Sequence, residues 1–447
     1  MRLSTRLRRA MRTLVAPAAP PALPEPPPPP DVPADLVPLL RELGAALLSS
    51  GQSVLETEHQ LAAVAQAHGA DQVRVFVLPT GVFIQLDTAS GPSADFTGPG
   101  STRTLPLHQI GALDSLVHRL TEKSADLADA RLELRSILAS PARYGPLVVV
   151  LGHALLTLGF GLILYPRIDS LGVYLVMGAA VGLLRLLAAR WPTLDAVLPV
   201  FAALVVSLVT IEYIAPWIGG DPLRLLTPAL VSFLPGAVLT VAAIELTSNQ
   251  VVAGASRMVF GIAQLLLLAF GVVAAVSLAG PWTTTGSPET LSRWVGLAGV
   301  LSVAVGYRFF SSTPPGAFWW LLVALYAAYL AQRLGTELLT PELGGFIGGL
   351  VIAPVAQVIA RARSGPPAIV VMLPAFWLLV PGALGFRGLS EVATGSSLGL
   401  ADLVDTAIAL FSIALGVLVG TALTRDARQM THLVARAVSP SRSSERA

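Results

Sequence analysis

From Pro146 to Thr424 the chain alternates long apolar runs with short breaks that carry a charge or a Pro/Gly cluster. A helix that crosses a bilayer needs about 20 predominantly apolar residues. The pattern predicts ten spans: 146–165, 170–189, 194–214, 224–246, 254–279, 292–310, 316–334, 343–361, 367–386 and 400–424. Breaks fall at Tyr165-Pro166-Arg167, Arg190-Trp191-Pro192, Gly219–Pro222, Thr313–Gly316 and Arg361–Pro367. The preceding 34–140 is patterned differently. Leu36, Leu39, Leu40, Leu43 and Leu47 recur at helical spacing, and Leu55, Leu61, Val64 and Ala65 mark a second amphipathic helix that Gly69 ends. Alternation predicts strands at Val73–Leu78 and Val82–Asp87 around a Pro79-Thr80-Gly81 turn. A Gly/Pro/Ser loop is expected over 91–101, a third strand over Thr102–Leu107, and helices over 109–122 and 125–139.

These patterns divide the chain into a basic, proline-rich N-terminus (1–33, with Pro26–Pro30 uninterrupted), a small α+β domain (34–143), two membrane halves (144–280 and 281–425) and a C-terminal tail (426–447). Composition agrees. Of 447 residues 54% are hydrophobic and only 13% charged, where a soluble domain is nearer a quarter charged. A soluble enzyme, a collagen-like fibre and a disordered chain are excluded as readings of the whole. There is no cysteine, so disulfides, thiolate metal sites and cysteine nucleophiles are excluded too. A net charge of +2 gives no reason to expect a nucleic-acid partner. No cofactor or metal is expected.

Arginine sets the expected orientation. With the small domain on the cytoplasmic side, inside segments carry Arg185, Arg190, Arg257, Arg308, Arg361, Arg363 and the arginine-rich tail. Outside segments carry Arg167, Arg224, Arg293, Arg333 and Arg387. Both termini inside requires an even number of spans, which ten satisfies.

The fourth and ninth spans share a motif. Pro228-Ala229, Pro235-Gly236-Ala237 and Glu245 recur as Pro374-Ala375, Pro381-Gly382-Ala383 and Glu391, at a constant offset of 146 residues. Each copy lies in the fourth span of a five-span half. Five is odd, so the halves are expected to enter the membrane in opposite senses, as two inverted five-helix repeats. That architecture is common among secondary transporters. Proline removes a backbone donor and breaks the helix, and freed carbonyls in a bilayer need partners from neighbouring helices, water or a solute. Paired breaks are therefore a pointer to a substrate site.

Charged groups in lipid cost several kcal/mol and face cavities or one another. Glu245, Asn249 and Arg257 flank the junction of spans four and five, Arg387 and Glu391 follow the second Pro-Gly, and Asp402 and Asp405 lie three apart in span ten. Arginine can hold a carboxylate; an acidic group can hold an ammonium or carry a proton. Glu212, Asp195, Arg185 and Arg308 read as boundary residues, His153 as a packed histidine, and Gly178/Gly182, Gly345/Gly349 and Gly416/Gly420 as close-packing pairs.

Leu43-Gly44, Leu47-Leu48, Gly51, Glu56 and Pro79-Thr80 resemble the soluble segment of the threonine/serine exporter family. Pro235-Gly236-Ala237, Leu239-Thr240, Glu245, Gly254 and Arg257 resemble its first membrane signature, and Pro381 to Leu389 its second. The likeness covers roughly 34–425. It implies an inner-membrane exporter of threonine and serine, driven by the proton gradient, with the two parts that some relatives divide between subunits fused in one chain. Pro235, Gly236, Thr240, Glu245, Asn249, Arg257, Pro381, Gly382, Arg387 and Glu391 are the candidate substrate-binding residues; Asp402 and Asp405 are candidates for proton coupling. Expected partners are a small amino acid, the coupling proton and the lipid bilayer, with a homo-oligomer left open.

Two rivals remain. One is a dicarboxylate exporter of succinate type. The other is a membrane-anchored hydrolase using the N-terminal domain, where Ser53, Glu56, His59, His68, His108 and His118 show neither a G-x-S-x-G elbow nor metal spacing. No catalytic residue is assigned.

Overall fold

The computed structural model of the chain describes residues 32–33, 35–88, 91–98, 104–280, 291–292, 294–379, 381–395 and 399–438. The expected N-terminal segment lies outside these apart from residues 32 and 33, as does the tail beyond 438.

The leucine periodicity near the N-terminus becomes α1 (Leu36–Ser49), with Leu36, Leu39, Leu40, Leu43 and Leu47 on its buried face. α2 (Val54–Ala67) is started by Ser53, whose side chain accepts the Glu56 N–H, an N-cap that satisfies one orphan donor. Gly69, at φ 89°, ends it in the left-handed region. An antiparallel sheet follows in the order β1 (Arg74–Leu78), β2 (Gly81–Thr88), β3 (Gly91–Thr97). Then come α3 (Leu107–Thr121) and α4 (Leu127–Ala139). These elements bury a common core that includes Leu40, Leu61, Ile84, Leu116 and Leu134.

The third strand is not where the sequence pattern placed it. It is Gly91–Thr97, inside the expected loop, and Leu107 begins a helix. β3 is an edge strand, where Pro92 near its start breaks little of the ladder. Phe96 faces Phe83 in register, with ring centroids 4.5 Å apart.

Eight helices are long and apolar enough to cross a membrane, and one bent pair makes nine, among the described residues. In order they are α5 (Pro146–Leu164), α6 (Leu171–Ala188), α7 (Pro192–Val209, continuing through a π turn to Ile218), the bent pair α8 (Pro222–Phe233) and α9 (Gly236–Thr247), and α10 (Val251–Ala279). α11 (Val295–Phe310), α12 (Ala317–Leu338), α13 (Pro341–Arg361), α14 (Ala368–Leu378), α15 (Pro381–Ala393) and α16 (Gly399–Val438) complete the chain. The span expected over 292–310 is the shorter α11, at 16 residues. The ninth runs past 386 to Ala393, because Arg387 and Glu391 are absorbed by an ion cluster and need not end the helix. Val259, Phe260 and Phe270 on α10 are more than half exposed, the face that lipid would cover.

Small residues set the close crossings. Gly152 and Gly159 of α5 meet α11 at Phe310 and Val303, and Gly306 and Gly299 of α11 meet α5 at Leu156 and Gly159. Rising numbers on one helix meet falling numbers on the other, so α5 and α11 run antiparallel. α9 packs on α16, and α15 packs on α10, a reciprocal exchange between the segments.

The Pro-Gly breaks lie at the centre of this exchange. α8 and α9 are bent by 70° at their junction. Gly236 and Gly382 sit face to face: a Cβ on Gly382 would lie 3.0 Å from the Gly236 nitrogen, so a side chain there would push the two backbones apart, whereas one on Gly236 would make ordinary contact. Each break frees a carbonyl, and each is answered by a glutamine. Gln264 on α10 donates to the Phe233 carbonyl at 2.9 Å, and Gln332 on α12 donates to the Leu379 carbonyl at 3.3 Å. Phe233 and Leu379 are 146 residues apart, the offset of the motif. Gln264→Leu and Gln332→Leu are each expected to cost about 1–3 kcal/mol, the penalty for an unanswered buried carbonyl. Thermal unfolding of the detergent-solubilised protein measures this; an unchanged midpoint in both variants would remove the capping role.

Candidate functional site

The residues singled out in the sequence do not form one cluster. They occupy three levels. At the central level are Pro235 and Gly236 at the start of α9, Pro381 and Gly382 at the start of α15, and Thr240, fully buried, donating to the Gly236 carbonyl at 2.9 Å. Nine residues farther along α9 is Glu245, and nine residues beyond Gly382 on α15 is Glu391. At 1.5 Å per helical residue each carboxylate is about 13 Å from the centre.

Glu245 is 1% exposed and Arg257, near the start of α10, is 12% exposed. Oε2 of Glu245 and Nε of Arg257 are 3.1 Å apart. This is an ion pair by distance, although its angle falls short of a hydrogen bond and leaves both atoms without an aligned partner. The small N-terminal domain adds one contact to each group. The Val54 N–H, at the first turn of α2, donates to Glu245 Oε1 at 2.9 Å. Arg257 Nη2 donates to the Gln52 carbonyl at 3.1 Å. The turn between α1 and α2 is thus seated on a buried charge pair. Asn249 is exposed, in a left-handed turn at φ 65° after α9, a conformation asparagine tolerates; its place is explained by the turn.

The second cluster is looser. Arg387 is 3.7 Å from Glu391 and 3.6 Å from Asp402, with Arg387 23% exposed. Asp402 and Asp405, expected on one face, are treated differently: Asp402 faces Arg387 and Asp405 is exposed. The start of α8 packs on α15, which brings this cluster toward Asp221 and Arg224.

Among the described residues, the N-terminal domain meets the membrane part at further points. The Leu107 N–H donates to the Ser311 carbonyl at 3.0 Å. Gly111 abuts Pro314 and Val370, and Gly51 abuts Leu373. A cavity of about 430 Å³ opens between His108, Arg143, Pro314 and Pro367. On the other level, Arg167 is buried, pairs with Asp169, and donates to the carbonyls of Ile218 and Gly219.

Sequence reading missed Gln264 and Gln332, and took Arg167 only as a break and an outside arginine. Glutamine in an apolar helix was the available signal for the first two. His153 is packed as expected: Nδ1 lies 2.7 Å from the Gly178 carbonyl and Nε2 2.8 Å from Ser232 Oγ. Ser53 is an N-cap, and His68 meets the Leu120 carbonyl.

Two carboxyl groups of the small domain titrate away from their ordinary range. Arg135 and Arg131 hold Glu42 down at about 2. Burial, with the Glu56 carboxylate nearby, raises Asp114 to about 6. Glu56 belongs to the first turn of α2, two residues after Val54.

A family profile described as "Putative threonine/serine exporter" matches residues 38–279. Among curated proteins, "Pheromone-regulated membrane protein 10" of Zygosaccharomyces rouxii is 26% identical over 290 residues. That alignment covers 56% of this chain and 28% of the yeast protein, so the chain spans less than a third of that relative. No solved structure matches.

Two measurements follow. Removing one partner of a buried ion pair leaves an uncompensated charge, a loss of about 3–5 kcal/mol. Glu245→Leu or Arg257→Met alone is expected to lower the unfolding midpoint more than the double variant, and a double variant worse than the sum of the two would contradict the pairing. For Asp114 the folded-state pKa lies above its ordinary value, so its favourable contribution is complete below about 3.8 and is lost as pH rises through about 6. Asp114→Asn is therefore expected to stabilise the protein at pH 7.5, by roughly 1–3 kcal/mol, with the gain fading toward pH 4. A gain that is equal at both pH values would exclude the titration.

Proposed function

This chain belongs to the threonine/serine exporter family, and from that premise we propose that it is a proton-driven secondary transporter exporting small amino acids, threonine and serine among them, across the inner membrane. That it is a multi-pass membrane protein of a transporter family rests on its apolar helices and the profile match. The substrate and the coupling are our reading. One observation carries it: two broken helices meet at Gly236 and Gly382 inside an apolar bundle, and from that crossing each runs on to a carboxylate–arginine group.

The crossing suits alternating access. The antiparallel α5 and α11, and the exchange of α9 and α15 between segments, support two halves of inverted topology. In that arrangement Glu245 and Glu391 stand at opposite ends of the bundle. Their separation, about 27 Å along two helical arms, approaches the roughly 30 Å hydrocarbon thickness. Arg257 with Glu245 would close the cytoplasmic end; Arg387 with Glu391 and Asp402 would close the outer end. Each pair can open only if a ligand or proton replaces the lost partner, since an unpaired charge there is costly.

The reading takes 34–143 as a cytoplasmic domain, 144–280 and 281–425 as the halves, and both termini as cytoplasmic. Arg257, Ser311, Pro314 and Val370, which the domain touches, lie at or within about a turn of the expected breaks that the arginine distribution assigns to the inside. Arg257 would receive the substrate carboxylate and Glu245 its ammonium, while Asp402 carries the proton. Asp405 is retained as a second acidic group on the same helix. The domain is read as a gating element and no hydrolytic role is assigned.

The experiment is efflux from cells preloaded with a threonine dipeptide, together with uptake by proteoliposomes under an imposed pH gradient. Glu245→Gln and Arg257→Ala are expected to lower transport at least tenfold, as loss of a charge-assisted contact of about 1.5–3 kcal/mol implies. Gradient-independent efflux would reject proton coupling. Transport unaffected in both variants would reject the site, and competition by succinate but not by serine would reassign the substrate to dicarboxylates.

A further inference from the structure

The turn that joins α1 to α2 offers the Glu245–Arg257 pair one donor and one acceptor from the main chain. The Val54 N–H, at the positive end of a 14-residue helix, meets the carboxylate at 2.9 Å. The Gln52 carbonyl meets the guanidinium at 3.1 Å. The two groups are separated by a single residue, Ser53. An α-amino acid carries the same polarity on its one α-carbon, an ammonium for Glu245 and a carboxylate for Arg257. Its full charges would outbid the partial charges of two peptide groups. Glu245 Oε2 and Arg257 Nε, both buried, have no aligned hydrogen-bond partner in the docked state, so the pair holds capacity that the turn leaves unused.

We propose that the Gln52–Val54 turn is a built-in substrate mimic: it occupies the cytoplasmic charge pair in place of a zwitterionic amino acid, and the amino acid admits itself by displacing it. This rests on the transport reading above and adds to it the chemistry of entry. A ligand with one charge would meet only half of the pair and leave the turn half attached. A zwitterion answers both groups at once, so selectivity for an unmodified α-amino and α-carboxyl group follows from competition with the turn. The domain is joined to the first membrane helix by the short link between Ala139 and Pro146, so displaced peptide groups stay close to the site and re-seat when it empties.

The local backbone supplies a clean variant. Val54 is the first residue of α2, where proline is well tolerated because its missing N–H is not used by the helix. Ser53, at φ −68° and ψ 154°, already has the extended conformation that a residue before proline requires. Val54→Pro therefore deletes the donor to Glu245 while keeping the helix start. Val54→Ala shortens the same buried side chain and keeps the donor. In proteoliposomes with the domain facing outward, Val54→Pro is expected to lower the half-saturating threonine concentration about tenfold relative to Val54→Ala, the worth of one hydrogen bond to a charged group. Equal values in the two variants would overturn the mimic.

A second readout does not depend on transport. The chain has no cysteine, and a Cβ at Gly111 would lie 3.9 Å from Pro314 Cβ, close to the disulfide mean of about 3.8 Å. In a Gly111→Cys/Pro314→Cys protein the bridge reports domain docking. Threonine is expected to slow its formation by oxidant, and propylamine or propionate alone to leave it unchanged. Transport of threonine without any effect on the bridge would leave the transport reading standing and overturn the mimic. If no small amino acid moves, the transport reading falls, and the bridge still decides the turn: slower closure in Val54→Pro than in Val54→Ala supports its seating on Glu245, and equal rates overturn it.

Discussion

A main chain that breaks inside an apolar bundle must find new partners for the polar groups it frees, and the membrane part of this protein is organised around two such breaks. Phe233 and Leu379 each lose the donor that a following helical turn would have supplied, and Gln264 and Gln332 replace it from different helices. Because those helices are α10 and α12, the answer to each break is also a tie between elements. The breaks themselves meet at Gly236 and Gly382, where no side chain intervenes. Both Pro-Gly sites interrupt the helical ladder in the middle of the bundle. That is where two alternative packings would have to differ.

Charge is placed where such a difference would have the greatest leverage. From the glycine crossing each arm runs about 13 Å before it carries a glutamate, and each glutamate is held by an arginine that connects it to the neighbouring helix or stands a turn away. The two groups are unequal. Glu245 and Arg257 are buried and are further bonded to the small domain, whereas Arg387, Glu391 and Asp402 are longer-range and part-exposed. The bends are unequal too: α8 and α9 turn by 70°, while Ala368–Ala393 passes as a single apolar stretch. On the proposed transport reading, two halves that share a motif and differ in shape correspond to a two-state carrier in one of its states. The exchange of those two conformations between halves would give the other.

Much of this was legible in the sequence, and the limits have physical causes. Long apolar runs announce membrane helices because little else in a protein needs them, and helix starts at Leu171, Ala317, Pro222 and Ala368 fall close to the expected boundaries. The heptad-like leucines of α1 marked a buried face correctly. The third strand was misplaced because Gly91 and Pro92 have the composition of a loop, and only pairing to β2 and the Phe83–Phe96 stack overrides that preference. Polar candidates were recognisable one at a time, but their levels were not. Spacing along a helix locates a residue on its own axis and says nothing of whether Glu245 and Glu391 share a cavity. Gln264 and Gln332 escaped notice because a neutral amide in an apolar helix lacks the cost that makes a charge conspicuous.

The seat of the small domain shows why the membrane halves alone do not define the site. Without the α1–α2 turn, Glu245 and Arg257 would retain one another but would leave a carboxylate oxygen and a guanidinium nitrogen facing either water or nothing. The turn meets both with peptide dipoles, which are weaker partners than charges and bring no counter-ion with them. A stronger partner, such as a lysine or aspartate from the domain, would have locked the pair; an apolar turn would have left it poorly solvated. Peptide groups lie between those limits, strong enough to cover the pair and weak enough to yield to a ligand carrying both charges. Domain and bundle are thus matched in strength at this contact as well as in shape, and the fusion of the two in one chain keeps the weaker partner at hand.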